Sequence, residues 1–122
     1  MNIKLQDAVN MAQTLTPWLE NTELSFMTKY RLAKLCKRLS EEVDFYRENL
    51  NILIATYAVP GQETNDEQIA IQPDKVGEFN QKLQELYKIS VEIDDGLKLE
   101  IADLEPLNPT IRDLMILDAI IK

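Results

Sequence analysis

One long stretch of the chain, from Ser25 to about Ala58, contains neither proline nor glycine. Apolar residues recur along it at alternating steps of four and three, which return to one face of an α-helix. This seam consists of Leu32, Cys36, Leu39, Val43, Tyr46, Leu50, Leu53 and Tyr57. The pattern predicts a long amphipathic helix that begins after an N-cap at Ser25 or Thr22 and stops at Pro60-Gly61. At about 1.5 Å per residue such a helix is about 50 Å long, more than a compact domain of this size requires.

Two interpretations of the seam follow. Either it packs inside the chain against the preceding and following helices, or it also joins a second copy or a partner helix. A second apolar segment, Leu114–Ile121, is interrupted only by Asp118 and is either sandwiched inside or pressed against a partner. We therefore take the seam residues, together with Leu114 and Ile121, as the candidate interaction residues.

The residues before the seam predict a short strand and a first helix. Asn2–Leu5 alternates polar and apolar residues, as a strand does. Asp7 is a plausible cap for a helix that runs to about Asn21. Its predicted apolar face is Val9, Ala12, Leu15 and Leu19. Pro17 predicts a kink or break near Thr16, because proline removes a backbone donor and clashes with the preceding turn.

The residues after the seam predict shorter elements. We expect a loop at 62–68, a short strand at 68–72, and a helix at about Lys75–Lys88 capped by Asp74. The apolar alternation in Ile89–Ile93 and again in Leu97–Ile101, around Asp94-Asp95-Gly96, predicts a hairpin or two sheet strands.

A last helix should follow Asn108-Pro109. The fold class expected from these elements is α+β and mainly helical: a long antiparallel helical hairpin with a small sheet and short C-terminal helices. We predict one domain over 1–122, in which 1–60 form the hairpin and 61–122 form an acidic strand-helix-strand-helix part.

The charge is unevenly distributed. The formal net charge is −8, and the excess of acidic residues lies in 61–122, which disfavours direct binding of nucleic acid. In the N-terminal half there is a local basic cluster, Lys29, Arg31, Lys34, Lys37 and Arg38. It is either a solvated helix face or a docking patch for an acidic partner, such as the C-terminal half of another copy.

The residue types available limit the chemistry. The chain has no histidine and a single cysteine, Cys36, which excludes Ser-His-Asp and Cys-His nucleophile systems. Glu92, Asp94, Asp95 and Glu100 surround a predicted turn and could hold a hard cation, although their spacing is not that of an EF-hand. The more ordinary interpretation is a solvated turn. We therefore expect no catalytic residue, cofactor or metal site, and no membrane span, since the longest uncharged stretch falls short of about 20 apolar residues.

Taken in order, several segments resemble a family of small uncharacterised proteins of tailed bacteriophages. The resemblance rests on the Met1–Leu5 start, on the run from Leu24 through Leu35 to the Tyr57 region, and on the tail after Phe79, including Val91–Ile93. It implies a non-enzymatic phage or prophage protein of the host cytoplasm or the virion, acting in virion structure or assembly through contact with itself or with another phage or host protein. Two alternatives stay open: a small acidic inhibitor of a host defence protein, and a regulatory subunit of an enzyme.

Overall fold

A single long helix organises the computed structural model, which describes residues 1–59 and 71–121. This helix, α2, spans Phe26–Tyr57, as the sequence predicts. Ser25 is its N-cap, and the Ser25 hydroxyl accepts a hydrogen bond from the Thr28 amide at 3.3 Å. The predicted stop at Pro60-Gly61, the loop at 62–68 and most of the strand at 68–72 lie outside the described residues.

The first helix, α1, spans Leu5–Leu15. Thr16–Glu20 then continue as a 3-10 turn with Pro17 in its first positions, so the predicted break near Thr16 is confirmed. α1 packs mainly against α2. The predicted inner face is right for Leu15, which is buried, but Val9 and Ala12 are only half-buried and Leu19 is exposed. The buried residues of α1 are Leu5, Ala8, Met11 and Leu15.

The small sheet pairs the two halves of the chain. Strand β1, Asn2–Lys4, is antiparallel to β2, Ser90–Glu92, with Ile3 opposite Val91. Both of these side chains are buried. Arg38 of α2 donates a hydrogen bond to the Glu92 carbonyl at 3.1 Å, which ties the long helix to the sheet.

For Ile89–Ile93 and Leu97–Ile101 the sequence predicts a hairpin or two sheet strands. The first segment does contain a sheet strand, β2, but the hairpin and the second strand do not form. The Asp94 carboxylate accepts a hydrogen bond from the Gly96 amide at 2.9 Å, and Asp95–Leu97 form a 3-10 turn. This side-chain turn replaces the backbone turn that a hairpin requires. Leu99 is nevertheless buried, and its segment forms an isolated parallel bridge with Ile121.

Two further helices complete the fold. α3 spans Val76–Tyr87 and follows a 3-10 turn at Pro73–Lys75. A 3-10 helix at Ile101–Leu107 ends at Asn108, which has a left-handed φ of 48°. α4 spans Ile111–Leu117, with a capping box between Thr110 and Asp113, and a 3-10 turn at Asp118–Ile120 follows it.

One hydrophobic core joins these elements. It contains the buried side chains of α1, the first half of α2, the sheet and the C-terminal segments. The chain is therefore mainly helical with a small two-stranded antiparallel sheet, as the sequence predicts. The antiparallel arrangement of α1 and α2 stays a prediction.

Candidate interaction surface

The seam of α2 divides into a buried half and a half-exposed half. Leu32 and Leu39 have 0 % of their surface exposed and serve the core. Cys36, Val43, Tyr46, Leu50 and Leu53 are half-buried, whereas Tyr57 is buried at the end of the helix. The change occurs along α2 because α1, with 11 residues, is much shorter than α2, with 32.

Three half-buried seam residues, Val43, Tyr46 and Leu50, belong to one wall of a groove of about 880 Å³, whereas Cys36, Leu53 and Tyr57 do not line it. Residues at helical spacing on α2 line this wall, namely Val43, Tyr46, Arg47, Leu50, Asn51 and Ile54. The opposite wall is the exposed flank of α1 and the start of the 3-10 turn, namely Val9, Ala12, Gln13, Thr16 and Pro17. Each wall repeats at steps of three and four, so each is one face of a helix.

The groove joins apolar walls to a few polar groups. Gln13, Thr16, Arg47 and Asn51 are exposed along it. No acidic residue in 1–59 or 71–121 lies within 4.0 Å of the Arg47 guanidinium. An apolar channel with a few polar groups at its edge is typical of a surface that binds another molecule.

The opposite flank of α2 is covered by α3. Tyr46 stacks on Tyr87, and Tyr57 meets Phe79 edge to face, each with ring centroids 6.0 Å apart. Desolvation and the neighbouring Tyr87 hydroxyl raise the pKa of Tyr46 to about 12. α3 occupies this flank of the second half of α2 and leaves the groove open.

Cys36 lies in the first half of the seam, between the buried Leu32 and Leu39. Burial raises the pKa of its thiol, the reverse of what activates a nucleophilic cysteine. The thiol is half-buried and packs against the core. Its environment is that of a packing residue.

The two candidate residues from the C-terminal segment are both half-buried. Leu114 belongs to α4, and Ile121 pairs with Leu99 beyond it. Leu117 and Ile120 of the same segment are fully buried. The segment is therefore mainly sandwiched inside, although Met115 beside Leu114 is 74 % exposed.

The basic cluster of α2 is only partly committed to contacts within the chain. Arg38 forms ion pairs with Glu42 and, at 3.8 Å, with Glu41. The Lys34 ammonium lies 4.7 Å from the centre of the Tyr30 ring, and the Lys29 ammonium lies 5.5 Å from that of Phe26. No acidic residue in 1–59 or 71–121 lies within 4.0 Å of the Lys37 ammonium.

Two of the four carboxylates considered for a cation, those of Asp94 and Asp95, make local contacts. Asp94 caps the 3-10 turn, and Asp95 lies 3.8 Å from the Lys98 ammonium. Over residues 1–59 and 71–121, no group of three or more cysteine, aspartate and glutamate side chains is placed to hold a metal ion. Within the same ranges, the helices lack the combination of length and apolar character that a membrane span needs.

Comparisons of the chain with protein-family models, with curated proteins and with solved structures find no match. The resemblance to the tailed-phage family therefore stays a prediction. The groove is defined by the geometry of α1, the following 3-10 turn and α2 alone. Of the α2 residues that line it, Val43, Tyr46 and Leu50 are predicted from the sequence, but Arg47, Asn51 and Ile54 are not. The sequence predicts Val9 and Ala12 on the inner face of α1. Both are half-buried and lie at the edge of that face, one position after the buried Ala8 and Met11.

Proposed function

We propose that this protein is a non-enzymatic accessory protein of a bacteriophage or prophage, which acts by protein–protein contact in virion structure or assembly. The observation that carries the proposal is the open groove between α1 and the second half of α2. The phage origin rests on the resemblance of the sequence. The antiparallel hairpin of α1 and α2 belongs to the same proposal.

The groove suits one amphipathic helix of a partner protein. Its α2 wall runs from Val43 to Ile54, which is about 16 Å or three turns of helix. Two parallel ridges of side chains with a channel between them receive the apolar face of a third helix, as in other helix-in-groove complexes. An acidic residue of the partner would then meet Arg47.

The partner is a phage protein in this proposal, and association with virions tests it. The tagged protein is produced during growth of the phage that encodes it, and particles and assembly intermediates are purified and washed at high salt. We expect the wild-type chain to stay bound, because apolar burial in the groove persists when salt screens charges.

Two groove variants make the test specific. Arg47→Glu reverses the exposed charge at the edge, and Ile54→Glu places a charge on the α2 wall; both should remove the protein from particles. Arg112→Glu, on the exposed surface of α4, changes the net charge by the same amount as Arg47→Glu and should leave binding intact. Circular dichroism checks that each variant is folded.

Two results would contradict the proposed role in virion structure or assembly. A wild-type chain absent from particles and from assembly intermediates would contradict the assembly role. Salt-sensitive binding to a basic host protein, with Arg47→Glu unaffected, would favour the inhibitor alternative instead, since the acidic half of the chain would then make the contact.

A further inference from the structure

The side of α2 that faces away from the core carries exposed apolar residues at both ends. Phe26, Met27 and Tyr30 lie near its start, with 88 %, 62 % and 57 % of their surface exposed. Phe45 and Ile52 lie in its second half, at 43 % and 57 %. Single exposed apolar residues are ordinary, but several on one face mark an interaction surface.

Charged residues fill the middle of the same face, in two blocks of opposite sign. Lys34 and Lys37 come first, and Glu41, Asp44 and Glu48 follow, all of them exposed. At about 100° per residue, the five apolar and five charged positions fall within about 100° of the helix circumference. We call this face the outer stripe.

These charges are largely unpaired within the described part of the chain. No acidic residue in it lies within 4.0 Å of Lys34 or Lys37, and no basic residue in it lies within 4.0 Å of Asp44 or Glu48. Glu41 has one neighbour, Arg38, at 3.8 Å. The outer stripe therefore offers both signs of charge to an external partner.

The order of residues on the outer stripe makes it complementary to itself in one orientation. Two copies of α2 that run antiparallel, with the two-fold axis crossing the outer stripe at the level of position 39 along the helix, place Lys34 opposite Asp44 and Lys37 opposite Glu41. The same register places Phe26 opposite Ile52. A parallel pairing would set each charged block against its own sign, which is unfavourable.

We propose that a second copy of this chain covers the outer stripe, so that two α2 helices pair antiparallel in a two-fold symmetric dimer. An isologous contact of this kind uses the same surface on both subunits. The stripe from Phe26 to Ile52 is about 40 Å long and one helix wide. That is at the small end of specific interfaces, so the dimer forms reversibly.

The dimer leaves the groove free. The groove side chains of α2, such as Leu50 and Ile54, lie on a different face of the helix from the outer stripe. A dimer would thus present two grooves, and a partner with two copies of the matching helix would bind more tightly through effective concentration.

Sedimentation equilibrium over a range of protein and salt concentrations tests the pairing. We expect a monomer–dimer equilibrium that shifts towards monomer as salt is raised, because the charged blocks are exposed and screened. The double variant Lys34→Glu/Lys37→Glu should weaken the dimer by roughly tenfold or more, since like charges then face each other. Lys4→Glu/Lys88→Glu, with the same net charge but outside the stripe, is the matched control and should dimerise as the wild type does.

A four-fold exchange establishes the orientation. Adding Glu41→Lys and Asp44→Lys to the double variant restores opposite charges across an antiparallel pair, so dimerisation should return. A parallel pair would stay repulsive in the same variant. All four positions are exposed, and circular dichroism verifies the fold of each chain.

Three results would overturn the proposal: a wild-type chain that remains monomeric up to about 1 mM at low salt, a dimer indifferent to Lys34→Glu/Lys37→Glu, or no recovery in the four-fold exchange. The groove variant Arg47→Glu should leave the dimer unchanged. Failure of the pairing and failure of the groove are thereby distinguished.

Discussion

Tyr46 of α2 and Tyr87 of α3 stack with their ring planes inclined by 22° and their centroids 6.0 Å apart. Together with the contact between Tyr57 and Phe79, this stack holds α3 along one flank of the second half of α2. Aromatic pairs of this kind contribute about 0.5–1.5 kcal/mol beyond the area that they bury. The other flank remains open as the groove.

The Tyr46 hydroxyl predicts a loss of stability at alkaline pH. Its pKa rises from 10.0 to about 12 on folding. Below pH 10 it is neutral in both states; between pH 10 and 12 the unfolded chain releases the proton more readily, so the free energy of unfolding falls. Urea titrations at several pH values measure this slope, and Tyr46→Phe should reduce it. Equal slopes in the two chains would contradict the assignment.

The two halves of the seam should respond differently to truncation. Leu32→Ala removes a side chain with 0 % exposure and should cost about 2–5 kcal/mol of unfolding free energy. Leu50→Ala makes the same change at a half-buried position of the same helix and should cost roughly 1–2 kcal/mol, in proportion to the smaller apolar area lost. Urea unfolding followed by circular dichroism compares them. Equal costs would mean that the groove is closed in solution.

The N-cap of α2 offers a local test. Ser25→Ala removes the acceptor for the Thr28 amide and should lower the unfolding free energy by about 1 kcal/mol. Ser40→Ala is the matched control at an exposed position inside α2, where alanine is the better helix former and stability should be unchanged or slightly higher. If both variants behave alike, the helix does not begin at Ser25 in solution.

The Cys36 thiol should react slowly with an alkylating reagent in the folded protein. Because burial raises the pKa of Cys36, less of it is thiolate at pH 8, and its half-buried position limits access. Alkylation by iodoacetamide, followed by mass spectrometry, should be roughly tenfold or more slower in buffer than in urea. Modification at the same rate in both conditions would show that the Cys36 thiol is fully accessible in the folded chain.

Local signals in the sequence are strong for α2 and for the break after α1. A proline- and glycine-free run with a sustained period and a serine at its start leaves few alternatives to a long helix. Pro17 lacks a backbone amide hydrogen whatever its tertiary contacts, so the break near it is predicted from the local sequence alone. Val43, Tyr46 and Leu50 of the α2 wall of the groove follow from the same periodicity.

What the sequence leaves open depends on distant partners. α1 is apolar on two adjacent faces, and the pairing of Ile3 with Val91 selects the face with Ala8 and Met11 as the inner one. The alternation of Leu97–Ile101 is as regular as that of a strand. However, the Asp94 carboxylate accepts a hydrogen bond from the Gly96 amide, and a 3-10 turn forms there instead of a hairpin turn. Whether a seam residue is buried or exposed depends on which stretch of α2 packs against α1, which no local pattern encodes.

The register that joins Asn2 to Glu92 also constrains the order of events in folding. Contacts between α1 and α2 are close in sequence and can form early, whereas β1 has no partner strand until the distant β2 segment reaches it. Leu99, Leu117 and Ile120 belong to the same core, and their contacts with the N-terminal half of the chain also close long loops. We therefore expect the sheet to close late and the whole chain to unfold as one cooperative unit.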